Sequence, residues 1–189
     1  MGICGQVSLQ LEHTRMRRAV FLDRDGVINR AVVRGGKPYP PANLAEMEIL
    51  PGVSDAMTAL HSEGWLLIVV TNQPDVARGT KLLVDVESIN QYLQQVLPID
   101  EFRTCYHDSG DGCDCRKPLP GALLAAAKTH NIDLSASYMV GDRWRDTEAG
   151  ERAGCQTIFI EYGYSEKQPQ NVGFRVQSLA EAAIIILGK

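Results

Sequence analysis

Asp23 and Asp25 follow the apolar run Arg18–Leu22 in the stretch Val20-Phe-Leu-Asp-Arg-Asp-Gly-Val-Ile-Asn29. Taken alone, Asp-x-Asp-Gly is equally a turn, because Asp and Gly both favour turn geometry. A second acidic pair, Asp142 and Asp146, stands in Gly141-Asp-Arg-Trp-Arg-Asp146 past another apolar run, where helix N-capping would also account for it. If the fold brings these carboxylates together, they repel one another unless a cation sits among them. Hard oxygen ligands, completed by waters and a substrate phosphate, suit Mg²⁺.

A different chemistry is written in Cys105-Tyr-His-Asp-Ser-Gly-Asp-Gly-Cys-Asp-Cys-Arg-Lys-Pro118. Cys105, His107, Cys113 and Cys115 make a Cys₃His set, a closed tetrahedral complement for structural Zn²⁺ with no position left for a catalytic water. Each arm is Cys-x-ligand, tighter than the common Cys-x₂-Cys. A Cys113–Cys115 disulfide and idle thiols are the alternatives. The chain has five cysteines, so one must stay unpaired in any all-disulfide scheme. With no secretory signal apparent, a reducing cytoplasm is expected, where clustered Cys and His favour metal. Cys4 and Cys155 read as bystanders.

The elements that must position these groups follow from hydrophobic patterning. Apolar runs at Arg18–Leu22, Trp65–Val70, Glu101–Tyr106, Tyr138–Val140 and Gln156–Ile160 alternate with helical patterns. The helices are expected from Pro51 to Gly64 and over Lys81–Val96, Pro120–His130, Arg145–Ala153 and Ser178–Leu187. Continuous apolar strands between helices predict an α/β fold, a doubly wound, Rossmann-like parallel sheet covered on both faces. Asp23, Thr71, Asn72, the Cys/His loop and Asp142 then all fall at the carboxyl ends of strands, the edge where open α/β sheets bind ligands. The intervals Asp23–Trp65 and Thr71–Lys117 have room for loops and one helix each, with a strand in the second, so no separate cap domain is expected. Residues 1–17 read as a flexible leader before a single domain over 18–189.

Four motifs in order carry a family resemblance. Phe21-Leu-Asp-Arg-Asp-Gly-Val-Ile-Asn29, Thr71-Asn-Gln73, Arg116-Lys-Pro118 and Val140-Gly-Asp142 resemble the motifs of haloacid dehalogenase-like phosphatases from Val20 almost to the C-terminus. The resemblance implies that Asp23 is the nucleophile forming an aspartyl-phosphate. It implies that Asp25 is the general acid and then the base. It places Mg²⁺ on Asp23, the Asp25 backbone carbonyl and Asp142. Thr71 and the Asn72 amide would bind the transferring phosphoryl group, and Lys117 would neutralise its charge. Asp146 is expected to orient neighbours rather than to bind metal.

The Cys/His loop ahead of Cys-Arg-Lys-Pro, together with Thr71-Asn-Gln-Pro-Asp-Val-Ala-Arg-Gly79, is similar to the D-glycero-D-manno-heptose 1,7-bisphosphate phosphatase family. That resemblance implies a phosphorylated sugar as substrate and a second anion site, for which Arg116, Arg143 and Arg78 are candidates. The spacer from His107 to Cys113 is shorter than is usual there and closer to histidinol-phosphate phosphatases, so a histidinol-phosphate or other small phosphate monoester is the alternative. A catalytically dead zinc-stabilised interaction module is the reading from another class. With 189 residues, 44% hydrophobic and 22% charged, and a net charge of −4, the chain has no global pull toward nucleic acid or anionic membrane. Its apolar runs are too short to span a bilayer. A monomer is expected.

Overall fold

A computed structural model of the chain describes residues 16–188. The leader expected over residues 1–17 falls mostly outside them, as does Cys4. Arg17, at its end, donates its backbone N–H to Asn131 O and pairs with Ile132 in an isolated parallel bridge.

Six strands form one parallel sheet: β1 (Ala19–Leu22), β4 (Leu66–Asn72), β5 (Glu101–Cys105), β6 (Tyr138–Gly141), β7 (Gln156–Ile160) and β8 (Phe174–Val176), in the order β5-β4-β1-β6-β7-β8. The expected doubly wound architecture is therefore present. β1 and most of β4 are buried on both faces, which is why they read as unbroken apolar runs rather than as alternation. The two faces feed two cores. Val20, Leu22, Leu67 and Val69 point toward α1 (Val53–Ser62), α2 (Leu83–Val96) and α5 (Leu179–Leu187). Phe21, Leu66, Ile68 and Val70 point toward α3 (Gly121–His130) and α4 (Trp144–Ala153). Cys155 packs in this second core as a small buried hydrophobe. Among the described residues, no helix is long and apolar enough to cross a membrane.

Three expectations need correction. Pro51 does not open α1; Gly52 adopts φ 75°, a left-handed turn that delays the helix to Val53. Lys81 and Leu82 likewise lie outside α2, because Leu82 is extended. The interval between Asp23 and α1 also holds more than a loop. β2 (Val32–Arg34) and β3 (Lys37–Tyr39) form an antiparallel hairpin closed by Gly35 and Gly36, both at positive φ.

The hairpin is not a cap domain, but Lys37, Pro38 and Tyr39 form one wall of the cleft above the sheet. Its turn is fixed to the loop after β7 by Ser165 N–H donating to Gly36 O. Strand β8 was not anticipated, because its three residues are mostly exposed and Arg175 interrupts the apolar signal.

Candidate active site

The carboxyl ends of β1, β4 and β6 meet at one cleft, and the predicted residues arrive there from four separate segments. Asp23 follows β1. Thr71 and Asn72 end β4. Lys117 ends the Cys/His loop. Asp142 follows β6. All but Asn72 are buried, with Asp142 1% and Lys117 2% exposed. The Lys117 ammonium donates to Asp23 Oδ1 at 2.8 Å and Val70 O at 2.6 Å, and it pairs with Asp146 Oδ1 at 2.7 Å. Burial opposes its charge, but Asp146 and Asp23 overcome that, and its pKa rises to about 12. Lys117 is therefore a fixed cation.

Three carboxylates cluster here, and Lys117 pairs with two of them. The ligand oxygens of Asp23, Asp142 and Asp146 all lie within 4.8 Å of one another. Burial lifts Asp23 to about 6 against the pull of Lys117, and Asp146 and Asp25 add to the rise. Burial, with Asp23 and Asp146, pushes Asp142 well above the usual carboxylate range. Both oxygens of Asp142 are buried and lack a hydrogen-bond partner; the Tyr164 hydroxyl leans toward them without closing hydrogen-bond geometry. An orphaned, buried carboxylate beside a second one is costly, and a divalent cation relieves it.

The donor set, all oxygen, fits Mg²⁺. Asp146 is the carboxylate of the three with both oxygens engaged: Oδ1 with Lys117, and Oδ2 accepting from the Arg143 backbone N–H at 2.9 Å in the first turn of α4. Lys117 and the Arg143 N–H thus occupy one oxygen each of Asp146. Two glycines make the close packing feasible. A Cβ on Gly26 would lie 1.9 Å from Asp142 Oδ2, and one on Gly141 would lie 2.1 Å from Asp146 Cβ.

Asp25 sits on the floor of the cleft in a cage of donors. Arg24, fully buried, reaches both of its oxygens at 3.1 and 2.9 Å, Asn29 donates at 2.9 Å and Gln73 at 2.7 Å. Burial pushes Asp25 up, but Arg24 and the hydrogen bonds from Asn29, Arg24 and Gln73 outweigh it, leaving the carboxyl below its ordinary range. Arg24 is anchored in turn on Asn90 Oδ1 of α2 at 2.9 Å. Neither Arg24 nor Asn90 was anticipated; Arg24 stands between the two acids Asp23 and Asp25, and Asn90 is a polar residue on the buried face of α2.

The arginines divide. Arg78 is clamped to Asp108 at 2.8 and 2.6 Å and to Asp75 at 3.2 Å. Arg143 is engaged by Glu166 through its Nε at 2.9 Å and also through Nη2. Arg116 donates to His107 O at 3.2 Å. Arg145, which sequence reasoning missed, lines the same cleft. Its charge is disfavoured by burial and then by Arg143 and Arg116. All four arginines line the cleft; Arg143 and Arg78 are paired with carboxylates there.

The Cys/His loop closes on itself. Cys105 Sγ lies 3.7 Å from His107 Nδ1 and 3.8 Å from Cys113 Sγ, and Cys115 Sγ lies 3.4 Å from His107 Nδ1. A tetrahedron with ordinary Zn–S and Zn–N bonds has edges of about 3.8 Å between sulfurs and about 3.6 Å between sulfur and nitrogen. The set thus fits a zinc-sized ion. The four described cysteines are all free thiols, so the Cys113–Cys115 disulfide is not formed. Burial and neighbouring thiols push Cys115 up to about 12, and a bound cation would favour the thiolate instead.

Comparison with known proteins places this arrangement among phosphatases. The HAD-hydrolase-like family model matches residues 114–182. The chain is 34% identical over 158 residues to the D-glycero-beta-D-manno-heptose-1,7-bisphosphate 7-phosphatase of Pseudomonas putida, covering 79% of this chain and 86% of that protein. It is 39% identical over 151 residues to the enzyme of the same name from Escherichia coli K12, covering 74% and 76%. Among solved structures it resembles the D,D-heptose 1,7-bisphosphate phosphatase of B. bronchiseptica complexed with magnesium and phosphate. That match has a TM-score of 0.77 and 30% identity, covering 90% of this chain and 98% of that one.

Proposed function

The chain belongs to the D-glycero-beta-D-manno-heptose-1,7-bisphosphate 7-phosphatase family of haloacid dehalogenase-like hydrolases, and from that premise we propose that it removes the C7 phosphate of a heptose 1,7-bisphosphate. It is a phosphoric monoester hydrolase. The observation that carries the reading is Asp23, held by Lys117 at the carboxyl edge of β1 beside the orphaned Asp142.

Asp23 Oδ attacks phosphorus, and the bond from phosphorus to the sugar oxygen breaks. Asp25 gives its proton to the departing alkoxide. The aspartyl-phosphate so formed is then attacked by water, whose proton Asp25 accepts, and inorganic phosphate leaves. The donor cage favours the carboxylate form of Asp25, which suits the second half; an arriving phosphate dianion favours the protonated form needed in the first. Lys117 and the Thr71 hydroxyl meet the equatorial oxygens. The Asn72 side chain is engaged elsewhere, so its backbone is what remains for the phosphoryl group. Mg²⁺ held by Asp23, the Asp25 carbonyl and Asp142 supplies charge neutralisation between nucleophile and phosphate. Zn²⁺ on Cys105, His107, Cys113 and Cys115 is structural and holds the loop that ends at Lys117.

Arg116 and Arg145 receive the distal phosphate. A histidinol monophosphate would leave that pair without an anion, which favours the bisphosphate. Steady-state kinetics on both anomers of heptose 1,7-bisphosphate beside histidinol phosphate tests the reading. The bisphosphate is expected to have the higher kcat/KM, and preference for histidinol phosphate would sink it.

A further inference from the structure

The tripeptide Thr71-Asn-Gln73 contributes one side chain expected to touch the phosphoryl group, that of Thr71, and two side chains that turn elsewhere. The Asn72 side chain reaches across to the end of the Cys/His loop. Its Nδ2 donates to Lys117 O at 2.9 Å, and its Oδ1 accepts from Lys117 N–H at 3.1 Å. These two bonds engage both ends of the amide in a closed ring with the Lys117 backbone. At its other end, Lys117 is held by Asp23, Asp146 and Val70. The lysine is thus fixed at its backbone by one residue of β4 and at its ammonium by oxygens of β1, β4 and α4.

Gln73 is 1% exposed. Its Nε2 donates to Asp25 Oδ2 at 2.7 Å and to Thr71 Oγ1 at 3.0 Å. A carboxylate is acceptor-only, so the nitrogen must be the end facing Asp25. The Gln73 backbone N–H donates to Cys105 O at 2.7 Å, which fixes its main chain to the sheet.

We propose that Asn72 positions Lys117 and Gln73 positions Asp25, so that one tripeptide aligns the charge-neutralising cation, the acid–base carboxyl and the phosphate-binding hydroxyl. This assignment rests on the phosphatase reading above. It also predicts that the two residues fail differently. Lys117 acts on the transferring phosphoryl group, which is common to every substrate. Asp25 in its acid role acts on the leaving oxygen, which matters for a sugar alkoxide and hardly at all for p-nitrophenolate.

The experiment compares kcat/KM on heptose 1,7-bisphosphate and p-nitrophenyl phosphate, because that ratio reports the first chemical step. Wild-type hydrolysis of both is the control; turnover of neither would mean that the phosphatase reading has failed, not this one. Asn72→Ala is expected to lower kcat/KM on both substrates by the same factor of about 100, carried in kcat, as for a reacting group misplaced by about 1 Å. Gln73→Met, close in volume and lacking the donor, is expected to lose about 100-fold on the sugar phosphate, the scale of general acid catalysis, and less than about tenfold on p-nitrophenyl phosphate, where only the lost bond to Thr71 is felt. An Asn72→Ala loss carried in KM would make Asn72 a substrate ligand and overturn its half. A Gln73→Met loss that is equal on both substrates, or absent on both, would overturn the other. Should either variant not fold, Asn72→Asp, which keeps the shape and one of the two bonds, and Gln73→Asn, which shortens the donor's reach, decide by the same patterns.

Discussion

The molecule builds two ion-ready clusters that share an end point and little else. Around Asp23, Asp142 and Asp146 the donors are hard oxygens, buried, drawn from the ends of β1 and β6 and the first turn of α4, and in excess of the one ammonium that pairs with two of them. Around Cys105, His107, Cys113 and Cys115 the donors are soft, close in sequence, partly exposed, and complete in number. The first cluster needs the whole sheet to exist and has acceptor capacity left over, as Asp142 shows. The second needs only one loop and has no position to offer a reactant. Lys117 lies where they meet, two residues beyond Cys115 and hydrogen-bonded to Asp23. One cluster is arranged for reaction and the other for placement.

The largest test of that division is Asp23→Asn. Turnover is expected to fall by about 10⁴-fold or more, the scale of removing a covalent nucleophile. The melting temperature should hold or rise, since the change removes one of the crowded buried carboxylates. Retained activity in steady-state assays would end the aspartyl-phosphate proposal and with it the contrast between the clusters.

Metal removal comes next. Omitting Mg²⁺ is expected to stop catalysis reversibly while limited proteolysis of the 105–117 loop stays unchanged. Metal analysis without added zinc should find about one zinc per chain, and Cys113→Ser should lose it. In that variant the loop should open to protease and kcat should fall by about 10–100-fold, as when support for a site is removed. If the two treatments gave the same proteolysis pattern and the same loss, reaction and placement would not be separate.

How much of this was legible in the sequence differs between the same two regions. The Cys/His set could be read directly because its ligands are local and their chemistry is specific to the side chain. The strands β1 and β4 were legible because burial on both faces leaves an unbroken apolar run. The hairpin β2–β3 escaped, although Gly35-Gly36 between short strands is a turn signal, because strands of three residues with Pro38 among them carry almost no periodicity. The roles of Asn72, Gln73 and Arg24 were illegible for another reason. Asn72 bonds Lys117 and Arg24 bonds Asn90, across separations that no local pattern encodes. Likewise Arg143 and Arg78 looked equivalent to Arg116 until Glu166 and Asp108 were seen to hold them.

Gly26→Ala probes the oxygen cluster alone and should cost less than losing the nucleophile. Its backbone has φ 98°, and a Cβ would meet Asp142 Oδ2 at 1.9 Å, so Asp142 must shift. A displacement of that order corresponds to about a 100-fold loss in kcat, with the Mg²⁺ needed for half-maximal activity rising in parallel. The zinc content should not change. Loss of zinc alongside would show the two clusters to be mechanically one.

The smallest expected effects separate the arginines at the rim. Arg143 and Arg116 are the largest charged influences on Arg145 and disfavour its charge, against smaller favourable ones from Glu166 and Asp146, so a bound anion gains from it without first breaking an ion pair. Arg78 would have to release Asp108 and Asp75. Arg145→Ala should therefore raise KM for the bisphosphate about tenfold, equivalent to about 1.4 kcal/mol of binding, and leave p-nitrophenyl phosphate unaffected. Arg78→Ala should change KM on either substrate by less than about threefold, since exposed ion pairs contribute little. The reverse ranking would return the distal anion to Arg78. It would then place that anion against the Cys/His loop, since Asp108 follows His107, and the soft cluster would be part of substrate recognition rather than a support for Lys117.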